Sequence, residues 1–204
     1  MIAIIDYGAG NLKNVQHALK TIGISSRITD QPSDLEKADG VILPGVGAYG
    51  EAMKRLSETG FDLEIIRQAE KRKPLLGICL GMQLLFEKSY EYGEHEGLGL
   101  IPGEIVPFEG AVKVPHMGWN QIELNKRFDD DSIINRIDEG DYVYFVHSFY
   151  AKPTNDQDIL FTTNYGEKFT SAVKRNNVIG MQFHPEKSAK TGMQLLRNFG
   201  GIVS

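Results

Sequence analysis

A single cysteine in 204 residues stands in a pattern that could make it a nucleophile. Cys79 lies in Gly77-Ile78-Cys79-Leu80-Gly81, between the apolar run Leu75 to Ile78 and the segment Met82-Gln83-Leu84-Leu85-Phe86, which reads as the start of a helix. Glycines two residues to either side permit a tight, strained strand-to-helix turn that holds the middle side chain clear of the backbone beside a positive helix N-terminus. Such a position favours thiolate, because a helix N-terminus or a nearby imidazolium lowers a thiol pKa of about 8.5 by one to several units. The competing reading is a buried, inert cysteine, the commonest fate of a free thiol. The paired glycines argue against it.

A thiolate that opens an amide needs a proton donor for its leaving group, and the chain has five histidines to supply one: His17, His95, His116, His147 and His184. His184 stands out because it follows the apolar run Val178 to Phe183 and precedes Pro185, which keeps it out of helical conformation. In an extended chain residues two apart point the same way, so Glu186 is expected to face and orient the imidazole. Cys79, His184 and Glu186 then make a catalytic triad. An oxyanion site is expected from Pro44-Gly45-Val46-Gly47-Ala48, a glycine-bearing loop after Val41 to Leu43 that opens a helix. Gly45, Val46 and Gly47 would offer backbone N–H groups there, with that of Leu80, next to the nucleophile, as the other donor.

The elements that position these groups alternate in the first half of the chain between short β-branched runs and segments of helical period, the signature of a parallel sheet covered on both faces. Ile2 to Ile5, Val41 to Leu43 and Leu75 to Ile78 read as buried strands. Leu12, Val15, Leu19 and Ile22 mark a helix with Asn11 as its N-cap and Gly23 as its stop. Ala48, Ala52, Met53 and Leu56 mark a second helix, and Phe61 to Lys71 a third. Beyond Glu87 come shorter alternating runs: Ile105 to Pro107, Gln121 to Leu124, Tyr142 to His147, Ile159 to Thr163, Ala172-Val173 and Val178 to Phe183. A last helix is expected over Thr191 to Phe199, with Leu195, Leu196 and Phe199 as its apolar stripe. The fold class is therefore α/β, a doubly wound, open, mixed and mostly parallel sheet flanked by helices, with additional antiparallel strands in the second half. One domain is expected across residues 1–204.

With 41% hydrophobic and 24% charged residues the chain can bury a full core. A net charge of −5 gives no electrostatic reason to expect nucleic acid or an anionic membrane as a partner. The longest charge-free apolar stretch, Pro74 to Phe86, is too short to span a bilayer. A start with no basic leader and a lone cysteine together read as cytoplasmic. Lys126 to Asp131 reads as a solvated turn in preference to a metal site, and no metal or cofactor is expected.

Gly77-Ile78-Cys79-Leu80-Gly81-Met82-Gln83 together with His184-Pro185-Glu186 resembles the triad glutamine amidotransferases, whose fold is flavodoxin-like. Within that superfamily, Pro44-Gly45-Val46-Gly47-Ala48, His116-Met117-Gly118-Trp119-Asn120, Tyr144 to Ser148 and Gln182 to Ser188 are similar to the glutaminase subunits of imidazole glycerol phosphate synthases, and the likeness spans essentially the whole chain. The resemblance implies hydrolysis of L-glutamine through a thioester on Cys79. The ammonia would pass to a separate cyclase subunit with a (β/α)₈ barrel, in histidine biosynthesis, the two forming a heterodimer. It also implies that Gly47 and Gln83 lie near the bound amino acid, that Glu91 meets its α-ammonium group, and that the backbone of Ser148 and Phe149 meets its α-carboxylate. Glu87, Glu94 and Glu96 remain alternatives to Glu91. Asn11, Asn14, Trp119, Asn120, Tyr144 and Lys187 match positions at or near the cyclase interface. Because ammonia in neutral water is mostly protonated and no longer nucleophilic, weak activity is expected of the isolated chain, with the loop Gly45 to Gly47 incompletely placed until the liganded cyclase docks.

Three other functions compete. Gly8-Ala9-Gly10 after a first strand, with Asp30 some way on, begins a dinucleotide fingerprint, but Lys13 occupies its third glycine position. A cysteine peptidase or γ-glutamyl hydrolase would use the same triad. A noncatalytic regulator of the same fold would have no need of a complete one.

Overall fold

The structure, a computed structural model, describes residues 1–110 and 112–203. Its first half builds a parallel sheet from β1 (Ile2–Ile5), β2 (Ser26–Thr29), β3 (Gly40–Leu43) and β4 (Leu75–Ile78), interleaved with α1 (Leu12–Thr21), α2 (Asp34–Lys37), α3 (Tyr49–Thr59) and α4 (Phe61–Glu70). Past the cysteine come α5 (Leu80–Gln83), β5 (Phe86–Ser89), β6 (His95–Glu96), β7 (Ile101–Pro107), β8 (His116–Gln121) and β9 (Glu123–Leu124). The rest is β10 (Tyr142–His147), β11 (Phe149–Pro153), β12 (Ile159–Tyr165), β13 (Glu167–Arg175), β14 (Val178–Met181) and α6 (Ala189–Val203).

The strands run in the order β2-β1-β3-β4-β14-β13-β11-β7-β5-β6, with β12 and β9 carried on β13, while β8 and β10 form a separate ribbon. From β2 to β14 every pairing is parallel, and β14 to β7 is antiparallel. This is the doubly wound sheet with antiparallel additions that the sequence pattern calls for. Period-two alternation divides the core between its faces. Ile2, Ile4, Ile42, Leu76 and Ile78 join Val15 and Leu19 of α1 and Leu195, Leu196 and Phe199 of α6. Ala3, Ile5, Val41, Leu43 and Leu75 face the opposite way, onto Leu56 of α3 and Phe61 and Ile65 of α4. No helix among the described residues is long and apolar enough to cross a membrane.

Several expectations need correction. The helix after Cys79 is a single turn, Leu80–Gln83, and Phe86 already begins a strand paired with β7. Leu84, Leu85 and Phe86 are all fully buried, and an apolar run with no polar face carries no period that separates helix from strand. Asn11 occupies the N-cap of α1 but its side chain makes no capping hydrogen bond. The segment Gln121 to Leu124 divides between β8 and β9, and α6 runs four residues beyond Phe199. A Cβ at Gly200 would come 2.3 Å from Ile24, so the glycine there serves packing and does not end the helix.

Candidate active site

Three adjacent parallel strands, β3, β4 and β14, deliver three loops to the same edge of the sheet. The loop after β4 carries Cys79 with φ 54° and ψ −115°, a conformation that L side chains rarely adopt. The neighbouring glycines are required by close approach. A Cβ on Gly81 would lie 1.8 Å from the Leu43 carbonyl oxygen, and one on Gly77 would lie 2.7 Å from that of Gly81. The elbow is thus wedged against β3, and the cysteine itself absorbs the strained dihedrals. Its N–H is tied to the Met181 carbonyl at 2.8 Å, which fixes the turn to β14.

The loop after β14 brings in the imidazole. His184 is extended, as its place before Pro185 requires, and its Nδ1 lies 2.8 Å from Glu186 Oε1. The pair forms, but by a different route from the one expected: Pro185–Lys187 is a 3-10 turn, and the turn, not an extended chain, swings Glu186 back beneath the ring. Both side chains are almost wholly buried. His184 Nε2 and Glu186 Oε2 make no hydrogen bond in this resting arrangement. Burial by itself would lower the imidazole pKa, but the proximity of Cys79 and of the Glu186 carboxylate outweighs it and raises the value to about 10. A proton is therefore held on the ring beside the sulfur.

Ser188 is a supporting residue that sequence reasoning passed over. Its hydroxyl donates to the His184 carbonyl at 2.6 Å and accepts from the Tyr144 N–H at 2.9 Å, while the His184 N–H donates to the Tyr144 carbonyl at 3.0 Å. These bonds fasten the turn to β10. Gln182 is another: fully buried, it directs Nε2 to Cys79 Sγ at 3.9 Å and accepts from Gln83 Nε2 through Oε1 at 2.9 Å.

The loop after β3 begins under restraint and ends free of it. The Tyr7 hydroxyl donates to the Pro44 carbonyl at 3.0 Å, and a Cβ on Gly45 would meet that hydroxyl at 2.7 Å. Gly47 has φ +100° with nothing within 4 Å of a Cβ there. Val46 and Gly47 line a cavity of about 370 Å³ with Cys79, Leu80, Gln83 and His184. Gly45 lies buried behind it. The Leu80 amide is the first of α5 and so has no intrahelical acceptor.

Glu91, Ser148 and Phe149 belong to the same cavity wall. Of the glutamates competing in that loop, Glu87 accepts from the Gly103 N–H at 2.8 Å and Glu94 pairs with Lys88, while Glu91 faces the cavity. One Glu91 oxygen accepts from the Tyr49 N–H at 2.5 Å, so it also anchors the start of α3. Gln83 is less free than expected, since Nε2 donates to the Phe149 carbonyl at 3.1 Å as well as to Gln182.

The family model described as "Glutamine amidotransferase class-I" matches residues 3–201. The chain belongs to the class-I glutamine amidotransferases. Curated relatives of this amidotransferase include the imidazole glycerol phosphate synthase subunit HisH of Syntrophotalea carbinolica, 47% identical over 99% of this chain and 100% of that one. The subunit of the same name from Aquifex aeolicus is 49% identical over 96% of this chain and 94% of its own. Among solved structures, PurLQS from Thermotoga maritima superposes with a TM-score of 0.76 at 20% identity, covering 100% of this chain and 98% of that chain. A glutamine amidotransferase from the same organism gives 0.64 at 19%, covering 98% and 82%. At that identity these two attest the fold alone.

The amidotransferase places the expected interface residues on contiguous elements. Asn11 and Asn14 are exposed at the start of α1, which packs against the 185–187 turn bearing exposed Lys187, and that turn packs against β10. Tyr144 of β10 pairs with Trp119 of β8, which is 52% exposed. Met117 and Tyr142 are exposed on the same ribbon. Asn120 differs from the rest, since its side chain turns inward to the Asn164 carbonyl and His116.

Proposed function

We propose that this chain is the glutaminase subunit of an imidazole glycerol phosphate synthase, hydrolysing L-glutamine to glutamate and passing ammonia to a separate cyclase subunit. The observation that carries the reading is the convergence on one cavity of a cysteine in a strained positive-φ elbow with a buried imidazole held 2.8 Å from a carboxylate. Cys79 Sγ attacks the γ-carbonyl carbon of glutamine, and the oxygen, now negative, is met by backbone amides of Leu80 and of the loop residues that line the cavity, Val46 and Gly47, with Gly45 buried behind them. His184 gives its proton to the departing nitrogen, so that ammonia leaves and an acyl thioester remains. Water activated by His184 then attacks the thioester, releasing glutamate and returning the proton to the thiol. Glu186 holds the imidazole in orientation throughout. Glu91 meets the α-ammonium group, the backbone of Ser148 and Phe149 the α-carboxylate, and Gln83 and Gly47 border the amino acid. Each step uses a side chain or amide of this chain, so the chemistry calls for no cofactor.

Near identity of length and 47–49% identity to subunits bearing that synthase name support the choice of pathway. The partner is a cyclase of (β/α)₈ form in a cytoplasmic heterodimer, seated on Asn11, Asn14, Trp119, Asn120, Tyr144 and Lys187, with residues 1–204 acting as one domain. The apolar side chains exposed along β8 and β10 favour such a contact. The test is glutamate release by the purified chain alone and with a stoichiometric cyclase subunit carrying its nucleotide ligand. Strong stimulation is expected. Turnover indifferent to the liganded cyclase would move the chain to another pathway, and absence of hydrolysis under both conditions would return Cys79 to a structural role.

A further inference from the structure

Two histidines that the triad does not use stand in a hydrogen-bonded line from the exposed ribbon to the cavity. His147 Nδ1 lies 2.8 Å from the Phe149 carbonyl oxygen, and its Nε2 lies 2.9 Å from His116 Nδ1. His116 Nε2 lies 3.3 Å from Asn120 Nδ2, which also donates to the Asn164 carbonyl at 2.9 Å. Asn120 Oδ1 accepts from the Gln121 N–H at 2.8 Å.

These contacts admit one arrangement of protons. Asn120 is fixed at both ends, because the Gln121 N–H requires its oxygen and the Asn164 carbonyl requires its nitrogen. Asn120 therefore presents a donor to His116 Nε2, which must be bare. The neutral His116 ring then carries its proton on Nδ1 and donates to His147 Nε2, which must also be bare. His147 is left with Nδ1–H, which donates to the Phe149 carbonyl at 2.8 Å beside the longer 3.1 Å bond from Gln83 Nε2. Burial agrees, pushing His116 down to about 4 and His147 to about 3. The rings are held by aromatic neighbours, with Tyr165 stacked 4.0 Å and Phe145 4.7 Å from the His116 centroid.

We propose that His147 is a positioning residue for glutamine hydrolysis, an Nδ1–H imidazole that fixes the Ser148–Phe149 backbone of the cavity and is itself held by His116 and Asn120. This deepens the glutaminase reading and rests on it, because the backbone it fixes is the segment assigned to the substrate's α-carboxylate. Both His147 ring nitrogens bond outside the triad, to His116 and to the Phe149 carbonyl, so its loss is expected to weaken glutamine binding more than the chemical steps.

The experiment has two arms. In the first, ring ¹⁵N shifts of the full-length wild-type chain at pH 7 are read by long-range ¹H–¹⁵N correlation, and both His147 and His116 are expected as Nδ1–H tautomers. An Nε2–H or charged His147 overturns the proposal. In the second, glutamine hydrolysis by the complex with its liganded cyclase is compared for wild type, His147→Asn and His147→Gln, since Asn places an amide donor near the Nδ1 position and Gln near Nε2. His147→Gln should raise KM about tenfold, the factor corresponding to about 1.4 kcal/mol for one hydrogen bond, with kcat within about threefold. His147→Asn should restore KM to within about threefold of wild type. An unchanged KM in His147→Gln, or no rescue by Asn in a variant that melts like wild type, overturns the proposal. A wild-type complex that releases no glutamate refutes the glutaminase reading instead, and the ring spectra then decide alone whether His147 holds the Phe149 carbonyl.

Discussion

Replacing Cys79 by glycine should give a more stable protein than replacing it by alanine, the reverse of what ordinary buried positions show. At an ordinary site glycine costs about 0.5–1 kcal/mol in unfolded-chain entropy, plus about 0.8 kcal/mol for a buried carbon, so alanine wins by about 1.5 kcal/mol. Position 79 has φ 54° and ψ −115°, the mirror image of an ordinary extended conformation. Glycine enters that region freely, whereas any residue with a Cβ is strained there by about 1–3 kcal/mol. Its ψ lies far from the small left-handed well open to L residues, which puts the strain in the upper half of that range. Relief of about 2.5 kcal/mol against a cost of about 1.5 kcal/mol leaves Cys79→Gly ahead by about 1 kcal/mol, or about 2–4 °C in melting temperature at this chain length. Both variants lack the thiol and neither should turn over glutamine, so the comparison isolates the backbone. Urea midpoints at matched slope measure it. If Cys79→Ala is the more stable of the two, the elbow is unstrained and the account of how the sulfur is presented fails.

Other outcomes follow from the same geometry. The His184 imidazole has its folded pKa raised to about 10 from an ordinary 6.5, so the stability it confers is complete below about pH 6.5 and is lost as pH rises through about 10. Melting curves of wild type and Glu186→Gln should therefore lie furthest apart near pH 6 and converge across that window, and a constant gap would contradict the pairing. Gly81→Ala drives a Cβ to 1.8 Å from the Leu43 carbonyl and should cost about 3 kcal/mol or more in urea unfolding, or prevent folding. Gly47→Ala meets nothing within 4 Å but resists φ +100°, so it should cost about 1–2 kcal/mol while lowering kcat more than about tenfold through a displaced loop. Equal effects of both glycine changes on stability would refute the distinction between a wedged glycine and a free one.

What could be read from the chain divides along physical lines. The elbow, the His-Pro-Glu turn and the central strands are local patterns, set by glycine spacing, a pre-proline residue and short runs of buried β-branched side chains. Strand β2 was illegible because Ser26-Arg27-Ile28-Thr29 lies at the sheet edge and buries only Thr29 fully. The single-turn α5 was illegible because its apolar run is buried on every side. The spacing of Glu186 from His184 was right for pairing, yet the 3-10 turn that achieves it depends on Ser188 reaching β10, forty-four residues away in sequence. His116 and His147 are thirty-one residues apart, and only the register of β8 with β10 makes them neighbours.

That register also explains how one ribbon can serve two surfaces. Alternation along paired strands sends His116, Asn120, Phe145 and His147 inward and Met117, Trp119, Tyr142 and Tyr144 outward. The inward set reaches the cavity through His147, and the outward set includes most of the exposed apolar area on the ribbon. The strand cannot slip by one residue without exchanging the two sets. Tyr144 also carries the two backbone bonds that hold the His184 turn and Ser188. A partner seated on the outward face therefore bears on a strand whose backbone holds the imidazole and whose end holds the Ser148–Phe149 wall. The loop after β3 stands apart from this frame, anchored at Pro44 and open at Gly47. The imidazole and the Ser148–Phe149 wall are thus tied by hydrogen bonds to the ribbon, whereas Gly47 at the end of the β3 loop has open space around it.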